Sequence, residues 1–236
     1  MKRSKRYQLI SLKVNKAKTY SLDEAIDLLK ETSNAKFVEA VDIAVKLGID
    51  PKRTDQMVKG SVNLPYGTGK EIKVLVLTRG EKEKEAKEAQ ADYVGLEEYV
   101  EKIKQGWTDF DAVVATPDVM PEVGKLGKIL GPKGLMPSPK TGTVTFDVAT
   151  AVKSLKAGKI QYKTDKTGNI HARIGRVDFE KEKLKKNIIA FISELLKEKP
   201  AGVKGQYLKS VTISSTMGPG IKLDVKELQE LARKEL

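Results

Sequence analysis

The apolar residues of this chain change rhythm twice. Val41, Ile43, Val45, Leu47 and Ile49 alternate with Asp42, Ala44, Lys46 and Gly48, the period-2 pattern of a strand with one buried and one wet face. Asp50-Pro51 ends it, and residues 57–64 predict a second strand. A helix precedes them. Ser21-Leu22-Asp23-Glu24 has the form of a capping box, with Ser21 satisfying orphan amides and Glu24 reaching back. Leu22, Ile26 and Leu29 then share one face to about Thr32. Residues 7–18 read as a basic, partly extended arm.

From 70 to 158 the strands become continuous apolar runs. Residues 72–77 and 111–115 predict buried strands, with Asp92-Tyr93-Val94 between them. Helices are expected near 81–90, 96–105, 119–130 and 147–156. Short strands alternating with helices imply crossover connections and a parallel sheet covered on its faces, a Rossmann-like α/β arrangement.

After 158 the wet-faced style returns. Residues 159–164 and 169–174 predict a hairpin across Asp165-Lys166-Thr167-Gly168, with glycine supplying positive φ. Leu184, Ile188, Phe191, Ile192, Leu195 and Leu196 mark the inner face of a helix over about 180–198. A strand over 207–215 leads into Thr216-Met217-Gly218-Pro219-Gly220. Val225, Leu228, Leu231 and Ala232 form the apolar stripe of a last helix.

Residues 1–69 supply one helix and two strands, too little for a well-buried core. Combined with 159–236, they make an open antiparallel sheet with helices on one face. The expected architecture is therefore a discontinuous two-domain protein. Residues 1–69 plus 159–236 form one α+β domain, and the Rossmann-like α/β domain 70–158 is inserted into it. Gly67, Gly69 and Gly158 mark the crossings and are expected to act as a hinge.

Charge supports this division. Residues 1–69 carry net +5 (13 basic, 8 acidic), 70–158 carry net 0 (14 and 14), and 159–236 carry net +7 (17 and 10). A Lys/Glu-rich soluble surface can reach the same total of +12. Its concentration in two distant segments favours a shared polyanion site, nucleic acid being the usual partner.

Several chemistries are excluded. The 236 residues contain no cysteine and a single histidine, His171, so no disulfide, thiolate metal site or histidine cluster is expected, and no cofactor. The absence of cysteine suits the cytosol. No apolar run approaches a membrane span, and no signal-peptide core follows the basic start. A nucleotide-dependent enzyme built on the middle domain is the alternative reading, but its phosphate loops fail. Gly67-Thr68-Gly69-Lys70 is followed by Glu71, and a second near-match ending at Lys140-Thr141 has Pro139 where a glycine amide is needed. Gly131-Pro132-Lys133-Gly134 fits the G-x-x-G loop of KH domains, yet Pro137 and Pro139 block the helix that must follow.

The wider stretch 124–144 sets Lys125, Lys128, Lys133 and Lys140 among glycines and prolines. It closely resembles the signature of the ribosomal protein L-one family of the large-subunit stalk, bacterial type. Lys36-Phe37-Val38-Glu39-Ala40-Val41-Asp42, Leu47-Gly48-Ile49-Asp50-Pro51-Lys52-Arg53, Asp165-Lys166-Thr167-Gly168-Asn169-Ile170-His171 and Thr216-Met217-Gly218-Pro219-Gly220 agree in the same order. The resemblance implies the same split architecture. It also implies direct binding of large-subunit ribosomal RNA, release of deacylated tRNA from the exit site, and repression of the protein's own mRNA. A monomer off the ribosome is expected.

Carried over, Lys36, Phe37 and Glu39 form one half of the RNA patch and Thr216, Met217 and Gly218 the other. In that reading Glu39 accepts from a ribose hydroxyl or a guanine edge. Lys46, Tyr162, Lys163, Asp165, Lys166 and Ser210 are further candidates on the same sheet face. The lysines of 124–144 are a possible second RNA contact.

Overall fold

The computed structural model describes residues 4–51, 53–200, 202–203 and 205–234. Part of the basic start (Met1, Lys2, Arg3), Lys52 and the end of the tail lie outside them. The chain divides into two compact units, one of 1–69 with 160–236 and one of 70–159. Among the described residues no helix is long and apolar enough to cross a membrane.

The first unit begins with α1 (Lys5–Leu12), where an extended arm was expected. Ser4 Oγ accepts from Tyr7 N at 3.3 Å as its cap. Buried Ile10 and Val14 anchor this segment. In α2 (Leu22–Thr32), Ser21 Oγ accepts from Glu24 N at 3.3 Å, whereas the Glu24 carboxylate turns to Lys18 at 3.7 Å. Strand β1 (Ala40–Leu47) alternates strictly between buried and part-exposed positions. Strand β2 (Lys59–Asn63) follows.

The second unit is a three-stranded parallel sheet. Strand β3 (Val74–Leu77) is its centre, flanked by β4 (Tyr93–Gly95) and β5 (Ala112–Ala115). Alternation divides β3 between two cores. Val74 and Val76 meet α3 (Glu81–Glu88) and α7 (Val148–Lys156). Leu75 and Leu77 meet α4 (Glu97–Lys104), α5 (Met120–Gly124) and α6 (Gly127–Leu130). Burial of both faces is why these strands read as unbroken apolar runs.

The chain then returns to the first unit through β6 (Lys159–Lys163), β7 (Asn169–Arg176), α8 (Lys181–Lys197), β8 (Leu208–Ser215), β9 (Ile221–Leu223) and α9 (Val225–Lys234). The expected β6–β7 hairpin does not form. β6 pairs with β2 in a separate two-stranded sheet, while β7 joins the main sheet of order β7-β1-β8-β9. All pairings in that main sheet are antiparallel. Helices α2, α8 and α9 cover its inner face. Phe191, Ile188 and Ile192 of α8 and Leu228 and Ala232 of α9 lie in one core with Ile43, Val45 and Ile213. The long tail is thus a packed element, each fully buried large side chain contributing about 1.5–3 kcal/mol.

Gly67, Gly69 and Gly158 all adopt positive φ (62°, 70° and 113°). The first two are tied to the first unit. Asn187, fully buried on α8, donates to Gly67 O at 2.9 Å and to Ile174 O at 2.8 Å, and accepts from Tyr66 N at 3.1 Å. A Cβ on Gly69 would lie 2.7 Å from the Arg176 side chain. Gly67 O is thus bound from the first unit, and the positive φ of all three positions suits glycine.

Candidate nucleic-acid interface

The antiparallel register of β1 and β8 creates the site. Val41 pairs with Ser215, so the loop entering β1 and the turn leaving β8 lie side by side although about 180 residues separate them. Two hydrogen bonds close the junction. Ala40 N donates to Thr216 Oγ1 at 3.0 Å, and Thr216 N donates to Ala40 O at 3.1 Å. Lys36, Phe37 and Val38 on one side and Thr216 and Met217 on the other are exposed. Phe37 is 55% and Met217 49% exposed, against the tendency of such side chains to be buried in a free-standing fold.

Glu39 is different. It is 2% exposed, and its carboxylate accepts from Ala35 N at 3.2 Å and Met217 N at 2.8 Å. It faces inward and joins the loop to the turn, so it is not an acceptor presented to a ribose or base. Space at Gly218 is tight: a Cβ there would lie 2.4 Å from Ser215 Oγ, so the hydroxyl or the turn would have to shift. Gly218 N donates to Ser215 O at 3.1 Å, closing the turn.

A second cluster lies at the other end of β1, where Lys46 pairs with both Asn169 and Ser210. Six residue steps of strand take Ala40 to Lys46, about 20 Å. Lys46 Nζ donates to Thr167 O, and Ser210 and Lys166 are exposed. Asp165 shapes this turn. It accepts from Thr167 N and Asn169 N, each at 2.8 Å. The Asn169 amide in particular holds its carboxyl well below the usual carboxylate range, against desolvation and with help from Thr167. Both oxygens are engaged locally, since Oδ2 also accepts from Thr167 and Asn169 side chains.

Two candidates sit elsewhere. Tyr162 is 3% exposed. Its hydroxyl donates to Glu198 Oε2 at 2.9 Å and its ring meets Phe191 edge-on. Burial, then the hydrogen bond to Glu198, push its phenol far above the ordinary value. It is a core residue. Lys163 is exposed but belongs with it to the two-stranded sheet, not to the main sheet face.

The face between the clusters contributes groups that the sequence did not single out. Asp42, Ala44, His171, Arg173 and Ser214 line a shallow concavity on the outer surface of β7, β1 and β8. Burial pushes the Asp42 carboxyl up, with Arg173 opposing. The signal was the wet phase of the β1 alternation, which contains Asp42 and Ala44. Phosphate, ribose and base edges all find partners on such a surface of cations, hydroxyls and exposed aromatic and thioether groups.

In the second unit, Lys125, Lys128, Lys133 and Lys140 are all exposed. Their loop is ordered from beneath. Leu126 and Leu130 are fully buried, and Ser138 N donates to the buried Thr143 Oγ1 at 2.9 Å. Gly134, at φ 71°, makes the left-handed turn after α6.

Residues 29–219 match the Ribosomal protein L1p/L10e family. Three bacterial proteins, each called large ribosomal subunit protein uL1, align nearly end to end. The protein of Kosmotoga olearia is 54% identical over 229 residues, 97% of this chain and 99% of its own. That of Chlorobaculum tepidum is 57% identical over 219 residues, 93% and 95% of the respective chains. That of Protochlamydia amoebophila is 56% identical over 232 residues, 98% of each.

Proposed function

Because this chain belongs to the Ribosomal protein L1p/L10e family, and is thereby a large-subunit ribosomal protein and no enzyme, we propose that it binds ribosomal RNA directly through its first unit. The observation that carries this reading is the junction of the 34–38 loop with the 216–218 turn. Phe37 and Met217 stand exposed there on backbone that is internally hydrogen-bonded. A preformed surface of this kind binds RNA by shape and sugar contacts, with lysines such as Lys36 adding salt-sensitive affinity.

By resemblance, the bound protein forms the mobile stalk and assists release of deacylated tRNA from the exit site. It acts in the cytoplasm, and is a monomer when off the ribosome. It also represses its own mRNA where that message mimics the ribosomal site. The four exposed lysines of the second unit are a second RNA contact in the same reading.

Footprinting on total ribosomal RNA at two salt concentrations tests the proposal, with Met217→Asp as the variant. A carboxylate beside RNA phosphate is expected to weaken binding about a hundredfold through like-charge repulsion, with the melting temperature nearly unchanged because Met217 is exposed. Equal loss of fold and binding makes the turn structural. Absence of protection by the wild-type chain sinks the reading.

The division of labour has its own test. Residues 1–69 joined to 160–236 by a short linker are expected to fold and to retain RNA binding, since their core closes without the second unit. An unfolded or non-binding product removes the assignment of binding to the first unit.

A further inference from the structure

We infer that Arg6 of helix α1 is a positioning residue that holds the RNA-binding turn in its binding-competent shape, an inference that rests on the reading above. Its guanidinium spans the two halves of the patch. Nη1 donates to Asn34 Oδ1 at 2.7 Å and Nη2 donates to Met217 O at 3.0 Å. Asn34 adjoins Ala35, whose amide donates to Glu39. Glu39 also accepts from Met217 N. The amide and carbonyl of Met217 are thus both bound to partners that lead back to the 34–39 loop, one through Glu39 and one through Arg6.

The two holds differ in kind. Glu39 works from inside the fold. Arg6 works from outside, in water, and arrives on a helix anchored independently by its Ser4 cap and by buried Ile10. The fold therefore does not depend on the Arg6 side chain. The arrangement suits arginine, whose planar fork can serve two acceptors at fixed spacing, and does not suit lysine, whose ammonium is a single point. With two of its nitrogens engaged on protein acceptors, Arg6 acts through the shape of the turn and not by neutralising a phosphate. Such preorganisation raises affinity by lowering the ordering cost at binding.

The salt dependence separates the two roles. Binding of the full chain to the large-subunit rRNA segment that it protects in footprinting is measured across a salt series for the wild type, Arg6→Ala, Arg6→Lys and, as a phosphate-contact comparison, Lys36→Ala. Arg6→Ala is expected to weaken binding about five- to tenfold at every salt concentration, with an unchanged slope of log K against log salt. Loss of a phosphate contact lowers that slope by about one, which is the result expected for Lys36→Ala. Arg6→Lys, which keeps the charge, is expected to bind like Arg6→Ala. Hydrogen exchange at the Met217 amide in the free protein is expected to quicken in both Arg6 variants. Wild-type affinity in Arg6→Ala, a reduced slope, or full rescue by lysine each overturns the inference. A wild-type chain that fails to bind the segment overturns the underlying reading as well, and so is distinguished from failure of Arg6 alone.

Discussion

Glu39→Ala is expected to lower affinity for the ribosomal site by about two orders of magnitude and to lower the melting temperature too. The side chain is buried and its two oxygens serve two backbone amides, one in the loop before β1 and one in the turn after β8. Alanine leaves both donors without that partner. Each costs about 1–3 kcal/mol when shielded from water, and for a chain of this size each kcal/mol moves the melting temperature by about 2–4 °C. A combined fall of about 4–24 °C follows, the upper end applying to full shielding from water. The loop and the turn then lose the link through Glu39 and are held only by the Ala40–Thr216 pair and Arg6, so binding falls along with stability. Glu39→Gln is expected to be intermediate: its carbonyl can accept from one amide, but its NH2 meets the other donor with a donor. Thermal unfolding and RNA affinity measured on the same preparations decide the matter. A carboxylate that touched RNA directly would lose affinity on substitution while the melting temperature stayed put, and that outcome would defeat the inward-facing role of Glu39.

Gly218→Ala is expected to weaken RNA binding at least tenfold with little change in stability. The added methyl would sit 2.4 Å from Ser215 Oγ, closer than two non-bonded atoms can approach, so the turn or the serine must move. Ser215 is buried and its hydroxyl has no hydrogen-bond partner among the described residues, so removing that oxygen sacrifices no hydrogen bond there. The double variant Gly218→Ala/Ser215→Ala leaves the Cβ of residue 215 at 3.5 Å and its amide nitrogen at 3.7 Å, both ordinary contacts. It is expected to recover most of the affinity, a strong non-additivity between neighbours. A double variant as weak as the single one places the requirement for glycine in the approach of RNA to the backbone, and the steric explanation fails.

Glu39 also shows how much a period-2 pattern contains. Counting back from Val41 in the phase of Ile43, Val45 and Leu47 puts position 39 on the buried side, where the structure has it. Its charge drew attention to the surface, but the alternation already pointed inward. Tyr162 repeats the lesson. It is in phase with part-buried Ile160 and out of phase with exposed Lys163, so the apolar face of β6 claimed it. The strong alternation of β1, the stripe of α8 and the unbroken runs of β3 and β5 were legible because each is fixed by local side-chain period. Pairing partners were not. Nothing local in 159–163 says that this strand joins β2, which lies about a hundred residues earlier, and not its neighbour across the tight turn. Helix α1 was missed because polar and basic residues outnumber the apolar anchors, and its stability comes from a cap and from the docking of Ile10. Arg6 was illegible for the same reason: its partners, Asn34 and Met217, become neighbours only once β1 and β8 pair.

The position of β1 has a consequence for synthesis. It lies between β7 and β8, so a strand completed by residue 47 finds no partner in the main sheet until residues 169–176 and then 208–215 have been made. At about 5–20 residues per second the nascent chain carries an unpaired, half-apolar strand for roughly six to twenty-six seconds, while the whole of 70–159 emerges and can fold first. The segment that assembles the proposed RNA site is therefore among the last to mature. Binding competence arrives only near the end of translation, and in that interval the growing chain depends on whatever keeps β1 from pairing with strands of its neighbours on the same message.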